Sequence, residues 1–359
     1  MQEKGGFPVW RRRRRVAILA ASVRAAISQA PPADGGRRTT QTHMQPTLAT
    51  PESQVESTAS VPRFEVDACA AFEAHYNRSS FLFSHALHLN PLFELPQLLE
   101  LAARRPPEPQ FAYWSNGRVG VAHRWDAKVA PRRSLTDTVA HIADNDSLVL
   151  LKHVERDTLF GPSIRQVCEQ VIELSGARMR QDVLEARGTL LIASPGRLTS
   201  YHLDADVNFL FQIAGDKWLS VFDQQDRTLT SHEELERYYD GDPNGAVFKE
   251  ARQREARRYD LGPGLGVHIP SMAPHWAQNR EQPSVALSIN FDLRSVKRLG
   301  RIYHFNCKLR RHGIRPRPPG ASAWRDSLKL AALSGLGAAQ RIVKRGARAR
   351  QPQSLRSGP

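Results

Sequence analysis

The sequence predicts a mainly β fold of the jelly-roll barrel type, with α-helical additions and an α/β region ahead of the barrel. Beyond about residue 187, the apolar runs are five to ten residues long, rich in Val, Ile, Leu and Phe, and separated by Gly, Asp and Pro. Short runs of this kind are typical of all-β barrels and jelly rolls. Before residue 187, apolar residues recur instead at helical spacing. The 359 residues suffice for a full hydrophobic core.

Three helices and one strand are predicted in the region ahead of the barrel. The first helix, in the segment LPQLLELAARR, ends before Pro106. A second helix around Val139 leads into an apolar strand at residues 148–151. In the third helix, Ser163 is the predicted N-cap and Gly176 the predicted stop.

Five apolar runs supply the predicted barrel strands: GTLLIAS, VNFLFQI, KWLSVFD, GVHIP and SVALSINFDL. One helix interrupts them, and it begins with the capping box formed by Ser231 and Glu234. Residues 321–345 favour a weak amphipathic basic helix. Because Gly335 and Gly337 each cost about 1 kcal/mol in a helix interior, this helix needs a partner surface.

The positive charge of the chain, formally +15, lies at its two ends. Residues 1–60 carry nine basic residues against four acidic ones, and residues 294–359 carry seventeen against one. The part between them has 25 basic and 31 acidic residues, a net charge of −6. Only the flanks are therefore expected to attract polyanions such as RNA or an anionic membrane surface, and to bind them weakly.

Composition and charge divide the chain into four parts. These are a disordered basic, low-complexity segment (1–62), a helical and strand region that packs on the barrel (63–186), the barrel core (187–311) and a basic C-terminal tail with the amphipathic helix (312–359). Three interpretations of the Arg-rich segment at the start stay open. It is disordered, it is a targeting segment, or translation starts at Met44 and the residues before it are an upstream extension.

The three cysteines, Cys69, Cys168 and Cys307, lie far apart and form no C-x-x-C pair. This spacing excludes a disulfide-stapled mini-protein and a zinc ribbon, and it is typical of a reducing compartment. No apolar run approaches the ~18–20 residues that span a bilayer. We therefore expect a soluble, cytoplasmic protein.

His202, Asp204 and His275 form a candidate metal site. On an extended chain, residues two apart point to the same side, so that His202 and Asp204 can reach one ion together. His275 follows at the start of another predicted strand, in IPSMAPHWAQN. Two imidazoles and one carboxylate on one face of a metal leave three positions open, which suits non-haem Fe(II) with a co-substrate and O₂.

With these residues in place, the sequence from about Val61 to Leu293 resembles the bacterial cupin-like relatives of the JmjC hydroxylases, the family that includes the asparaginyl hydroxylase of hypoxia-inducible factor. The resemblance is best between Thr199 and Phe291. It implies a double-stranded β-helix in which the H-x-D…H residues bind Fe(II) and 2-oxoglutarate binds beside the metal.

The same resemblance assigns four residues to the co-substrate. Lys217, thirteen residues after the aspartate, matches the lysine that grips 2-oxoglutarate, and Thr199 matches a hydroxyl donor. Asn208 and Asn290 match polar residues that line the site. A lysine within an apolar strand also requires an anionic partner on physical grounds, because burying an ammonium alone is costly. The family's co-substrate tyrosine has no match in the N-terminal half.

The resemblance implies an Fe(II)- and 2-oxoglutarate-dependent dioxygenase that hydroxylates a C–H bond, with the metal centre itself as the catalyst and no separate acid or base. A protein side chain is the preferred substrate, and a small molecule is the alternative. A catalytically inactive metal-binding regulator and a metal-only reaction stay open, as does the oligomeric state, a homodimer included.

Four further residues near the motif are not predicted to bind the metal or the co-substrate. His268 is predicted to be structural, and Phe209 and Trp276 to be packing residues. Asp206 is predicted to be a solvated acid, with a hydrogen-bond acceptor for a metal ligand or a substrate contact as the alternatives.

Overall fold

The described part of the chain, residues 67–124 and 131–335 of a computed structural model, contains eleven strands. In chain order they are β1 (Phe81–Ser84), β2 (Ala112–Asn116), β3 (Ser147–Lys152), β4 (Val183–Ala193), β5 (Leu198–His202), β6 (Val207–Ala214), β7 (Lys217–Val221), β8 (Arg257–Leu261), β9 (Leu265–Ile269), β10 (His275–Asn279) and β11 (Ser284–Leu293). The predicted low-complexity segment 1–62 and the end of the basic tail lie outside these residues.

The α-helices of the described residues lie mostly before β4 and after β11. They are α1 (Asp67–His75), α2 (Leu95–Arg104), α3 (Leu135–Ala140), α4 (Gly161–Leu174), α5 (Gly176–Asp182), α6 (His232–Tyr239) and α7 (Arg294–Arg311), followed by residues 323–335, which we call α8. None of these helices is both long and apolar enough to cross a membrane.

The strands form two antiparallel sheets. The larger has the order β1-β9-β6-β11-β4-β3-β2, and the smaller has the order β5-β10-β7-β8. From β4 to β11 the chain passes back and forth between the two sheets, and only the hairpin β7–β8 keeps two successive strands in one sheet, so the mainly β jelly-roll prediction is confirmed. The predicted closure into a barrel is not observed: no hydrogen-bonded pair among the described strands joins the two sheets, which contact each other through side chains.

Strand β6 shows why strands of the larger sheet have continuous apolar sequences. Its residues from Val207 to Ile213 are all buried. Phe209 and its odd-numbered neighbours pack against the helices, whereas Leu210 packs toward the smaller sheet. Phe209 stacks on Phe72 with ring centroids 5.4 Å apart, which confirms its packing role. A strand buried on both faces loses the alternation of a half-exposed strand.

Helix α4 begins earlier than the sequence predicted, and Ser163 is not its N-cap. The helix starts at Gly161, and Pro162 occupies its first turn, where a missing amide hydrogen costs nothing. The Oδ1 atom of Asp157 accepts hydrogen bonds from two backbone amides just ahead of the helix. Ser163 therefore lies inside the first turn. Gly176, with a φ of 78°, follows the end of α4 as predicted.

The capping box of α6 is present as predicted. Ser231 Oγ accepts from the Glu234 amide at 3.2 Å, and Glu234 Oε2 accepts from the Ser231 amide at 2.7 Å. This helix packs against α7, and both lie behind the strand ends that carry the candidate metal ligands.

Helix α8 packs against α7. A partner surface was expected for this helix because glycines destabilise it. Asn306 Nδ2 on α7 donates to the Arg317 carbonyl at 3.2 Å, and an Arg301 guanidinium nitrogen donates to Ser334 Oγ at 2.9 Å. Lys329 Nζ also donates to the Arg317 carbonyl, at 3.1 Å. Residues 312–335 thus dock on the folded part of the chain.

Candidate metal centre

The smaller sheet brings the two histidines together. Strand β5 ends at His202, β10 begins at His275, and the two residues are directly paired across the sheet. Their ring centroids are 4.2 Å apart. The sheet register therefore joins two residues that are 73 positions apart in the sequence.

Asp204 completes a set of three donors. Its Oδ2 atom lies 3.8 Å from His202 Nε2 and 3.9 Å from His275 Nε2. The three ligand atoms all lie within 4.8 Å of one another. Donors at this separation fit around one ion with metal–ligand distances of ~2.0–2.2 Å after a small contraction.

Backbone carbonyls fix the tautomer of both imidazoles. His202 Nδ1 donates to the Ser200 carbonyl at 2.7 Å, and His275 Nδ1 donates to the Ala273 carbonyl at 2.9 Å. With the proton on Nδ1, the Nε2 atom of each ring carries the lone pair that would bind a metal. Burial and the neighbouring His202 lower the pKa of His275 to about 4, so this ring is neutral at physiological pH.

Asp204 lies in the loop between β5 and β6, whereas the sequence-based expectation treated His202 and Asp204 as neighbours on an extended chain. Its backbone carbonyl accepts from the Met272 amide at 2.7 Å, and the next amide, that of Ala205, donates to Tyr238 Oη on α6 at 3.1 Å. Met272 has a φ of 62°, in the left-handed region that few side-chain-bearing residues adopt. The contact between Met272 and Asp204 ties the two ligand-bearing loops together.

Asn77 holds the loop that leads to His275. It also has a positive φ, 49°; its amide donates to His268 Nε2 at 3.0 Å, and its Oδ1 accepts from the Ser271 amide at 3.0 Å. His268 is fully buried and donates from Nδ1 to the Asn208 carbonyl at 3.2 Å. Both nitrogens of His268 are thus engaged, and its predicted structural role is confirmed.

A cavity of about 590 Å³ opens beside the three ligands, between the two sheets. All seven residues predicted for the site line it: Thr199, His202, Asp204, Asn208, Lys217, His275 and Asn290. The structure therefore places the predicted metal-binding and co-substrate-binding residues around one space. Trp276 does not line the cavity; its Nε1 donates to Gln253 Oε1 at 3.0 Å.

Lys217 is the least compensated charge in this cavity. Its side chain is only 5% exposed, and it forms no hydrogen bond or ion pair with any described residue. Burial lowers the pKa of Lys217 to about 8. The ammonium therefore faces the cavity without a counter-charge, an arrangement that costs several kcal/mol unless an anion binds there.

The register of the smaller sheet gives the order of these groups along the cavity. His275 pairs with Val221, Ala277 pairs with both Leu219 and Thr199, and Lys217 pairs with Asn279. Lys217 thus lies four positions along the sheet from His275, roughly 13 Å at the strand rise. Thr199 pairs with Ala277 and therefore lies between His275 and Lys217 along the strand direction.

Asn208 and Asn290 face each other across β6 and β11 on the opposite wall. Asn208 Nδ2 donates to Asn290 Oδ1 at 2.7 Å and to Ser288 Oγ at 2.6 Å. The buried Oδ1 atom of Asn208 has no partner among the described residues. The Asn208 amide nitrogen is therefore fully engaged, whereas the Asn208 Oδ1 atom can accept a hydrogen bond from a ligand.

Arg187 and two carboxylates form a charged network that the sequence argument missed. Arg187 Nη2 donates to Asp206 Oδ2 at 2.8 Å and to Asp292 Oδ1 at 3.0 Å, and Lys297 Nζ lies 2.5 Å from Asp292 Oδ2. Burial and the neighbouring Asp292 raise the pKa of Asp206 to about 7. The prediction of a solvated acid at Asp206 was wrong, because the larger sheet places Arg187 against it.

Further polar residues reach the cavity from β2, β3 and the loop before β5: Tyr113, Ser115, Lys152 and Arg197. Sequence reasoning missed them because β2, with the sequence AYWSN, shows neither a continuous apolar run nor a chemical motif. Tyr113 is of particular interest, since the resemblance implied a tyrosine from the N-terminal half that had no match.

No protein-family model matches the chain, and no curated protein is significantly similar to it. Similar solved structures include the ribosomal oxygenase YcfD of Escherichia coli, with 15% identity, 76% of this chain and 67% of that chain covered, and a TM-score of 0.44. YcfD in complex with cobalt and 2-oxoglutarate matches with the same values.

Another similar structure is a formate complex of oxalate decarboxylase from Lactobacillus farciminis, with 16% identity over 29% of this chain and 23% of that chain and a TM-score of 0.20. Oxygenases are thus among the similar solved structures.

Proposed function

We propose that the chain is an Fe(II)- and 2-oxoglutarate-dependent dioxygenase that hydroxylates a C–H bond of a protein side chain. One observation carries the dioxygenase part of this proposal, and the choice of a protein side chain as substrate follows the sequence resemblance. A group of two histidines and one aspartate shares a cavity with Lys217, a buried cation that has no counter-charge among the described residues. A metal bound to the two histidines and the aspartate, and an anionic ligand bound to Lys217, would occupy the whole site.

The donor set fits Fe(II). His202 and His275 each offer an Nε2 atom, because Nδ1 is engaged by a backbone carbonyl, and Asp204 supplies one carboxylate oxygen. The described residues supply three donors, so positions stay open for a co-substrate and O₂. When bound, iron and 2-oxoglutarate supply the oxidising chemistry, and the protein supplies orientation and exclusion of water.

The cavity also fits a short dicarboxylate. Lys217 lies at the far level of the cavity from the histidines, where it would pair with the distal carboxylate of 2-oxoglutarate. Thr199, at the intermediate level, would add a hydroxyl hydrogen bond. Tyr113 is the candidate for the missing tyrosine of the N-terminal half, because it lines the same space.

The opposite wall would orient the reacting groups. Asn208 and Asn290 present amides from the larger sheet, and the unpaired Oδ1 of Asn208 can accept one hydrogen bond from a ligand. Apolar side chains complete the lining between these groups, among them Leu191, Leu210 and Leu219. A partly apolar wall limits water around the metal, which favours coupling of oxidation to a bound substrate.

The first experiment measures uncoupled turnover. Purified protein with Fe(II), 2-oxoglutarate and O₂ is expected to release succinate slowly without added substrate, and Asp204→Ala is expected to abolish this release. The matched control is Asp144→Ala, which removes an exposed carboxylate outside the cavity. Equal succinate release by Asp204→Ala and the control would contradict the proposed metal site.

The second experiment tests the substrate class. Cell lysate incubated with the protein, iron, 2-oxoglutarate and ¹⁸O₂ is expected to show labelled protein side chains by mass spectrometry. The Asp204→Ala protein serves as the blank. Label confined to metabolites would favour small-molecule hydroxylation, and succinate release in the first experiment would then still support the dioxygenase.

A further inference from the structure

Helix α7 carries a stripe of positive charge on its exposed side. Arg294, Arg298, Arg301 and Lys308 are exposed and recur at steps of three, four or seven residues, so they lie on one face of the helix. We call these four residues the α7 stripe. It extends about 21 Å along the helix at the α-helical rise. The chain contains no Asp or Glu between Asp292 and Asp326.

The other basic residues of α7 are neutralised, and those of the stripe are not. Lys297 pairs with Asp292, Arg310 with Glu236 and Arg311 with Asp240. No carboxylate of the described residues pairs with any member of the stripe, and Arg301 donates only to a hydroxyl and a carbonyl oxygen. The positive potential of the stripe is therefore uncancelled locally.

An exposed aromatic side chain lies on the helix that docks beside the stripe. The contact between Arg301 and Ser334 places α8 against α7 at the stripe. Trp324 on α8 is 63% exposed, and the guanidinium of Arg325 lies 5.1 Å from its ring centroid. The indole lies ten residues from Ser334, about 15 Å along α8, and together with the Arg325 guanidinium it offers a base both stacking and positive charge.

We propose that the α7 stripe and Trp324 form a docking surface for single-stranded RNA. Regularly spaced, uncompensated cations suit the phosphates of a nucleic-acid backbone. The indole suits a base that is free to unstack, and this condition holds for single strands and not for a duplex. A lipid surface suits the features less well, because an interfacial helix needs a broad apolar face and the exposed side of α7 presents charges.

This surface is independent of the candidate metal centre, since none of its residues lines the cavity. Its occupant would be held at the side of the fold while the cavity stays accessible. Salt dependence gives the expected size of the effect. Four phosphate contacts to a single strand correspond to a slope of about −3 for log affinity against log salt, or about 50-fold between 50 and 200 mM salt.

The test uses the full chain and an unstructured 20-nucleotide RNA with a fluorescent label, titrated at several salt concentrations. The stripe variant changes Arg294, Arg298, Arg301 and Lys308 to Gln. The matched control changes Arg132, Arg178, Arg180 and Arg254, which are exposed and lie on other elements, to Gln. The salt slope of the stripe variant is expected to be about 3 smaller in magnitude than that of the control. This difference isolates the stripe from the basic tails.

Trp324→Ala is expected to weaken RNA binding at least about fivefold without changing the salt slope. If the stripe variant unfolds, the double variant Arg294→Gln, Lys308→Gln replaces it, with half the change in slope. Equal slopes in stripe variant and control would overturn the proposal. So would equal affinity for duplex RNA, or capture by phosphatidylserine vesicles with no binding of the RNA.

Discussion

At the residue scale, Lys217 connects the sequence pattern to the proposed chemistry. The protein accepts the cost of a buried cation with no partner of its own among the described residues. A structural lysine would gain an acidic neighbour or point its amine to solvent, since an unpaired buried charge is destabilising. An anionic ligand would therefore bind to a charge that is already desolvated and held in place.

Lys217→Met is expected to have opposite effects on stability and on binding. Removing the unpaired charge while keeping the length of the side chain should raise the melting temperature of the ligand-free protein. The affinity for 2-oxoglutarate should fall by a few kcal/mol, the scale for losing one partner of a buried charge pair. Differential scanning fluorimetry and calorimetry measure the two effects. Unchanged 2-oxoglutarate affinity would exclude Lys217 as the anchor.

The affinity for 2-oxoglutarate should also depend on pH above about 8. Burial lowers the pKa of Lys217 to about 8 in the ligand-free protein, and only the protonated amine attracts a carboxylate. Affinity should therefore be constant below this pH and fall about tenfold per unit above it. Calorimetry between pH 7 and 10 tests this, with a flat profile expected for Lys217→Met. A flat profile for the unmodified protein would contradict it.

At the element scale, the loops between strands decide the geometry of the site. Strands β5 and β10 position the two histidines, whereas Asp204 depends on a loop that is tied to Met272 and Tyr238. Sequence spacing anticipated that Asp204 and His202 converge, but not the loop that achieves it. Helix α7 escaped prediction for a related reason: its many basic residues obscure an apolar face that becomes visible only against α6 and β11.

Asn77→Gly is expected to weaken metal binding by less than the ~10–100-fold that loss of a direct hydrogen-bond partner of a metal ligand costs, because Asn77 supports the loop before His275 and not the ligand itself. Glycine tolerates the positive φ but cannot accept from the Ser271 amide, so the loop before His275 loses a support. Asn77→Asp keeps the acceptor and serves as the control. Titration with Co(II), followed by its absorption spectrum, measures the affinity. Equal affinity of the two variants would show that this hydrogen bond does not position His275.

At the scale of the whole molecule, the sandwich places one cavity between two sheets, and the helices cover the other face of the larger sheet. The predicted domain boundaries, the cytoplasmic localisation and the oligomeric state stay predictions. Beyond the proposed C-terminal boundary at residue 312, Asp326 and Lys329 of α8 are buried and hydrogen-bonded to each other. The folded part therefore includes α8.

Two deletions should separate the docked helix from the rest of the basic tail. Removing residues 336–359 is the matched control, because it keeps every described contact between α8 and α7. Removing residues 312–359 should lower the melting temperature by several degrees, because the partners of Asn306 and Arg301 are lost. Differential scanning fluorimetry gives both values. Equal melting temperatures for the two deletions would show that α8 adds nothing to the stability of the fold.

The sequence by itself determined the fold class, the strands with long apolar runs, the capping box of α6 and the three residues of the candidate metal site. These features depend on local periodicity or on residue types with few alternative uses, such as a lysine within an apolar strand. Tertiary structure decided the open sandwich, the pairing of Asp206 with Arg187, the position of Tyr113 and the start of α4 ahead of Ser163. Each of these depends on partners distant in the chain or on competition between neighbouring caps. The register of paired strands creates such contacts only once the sheets have formed.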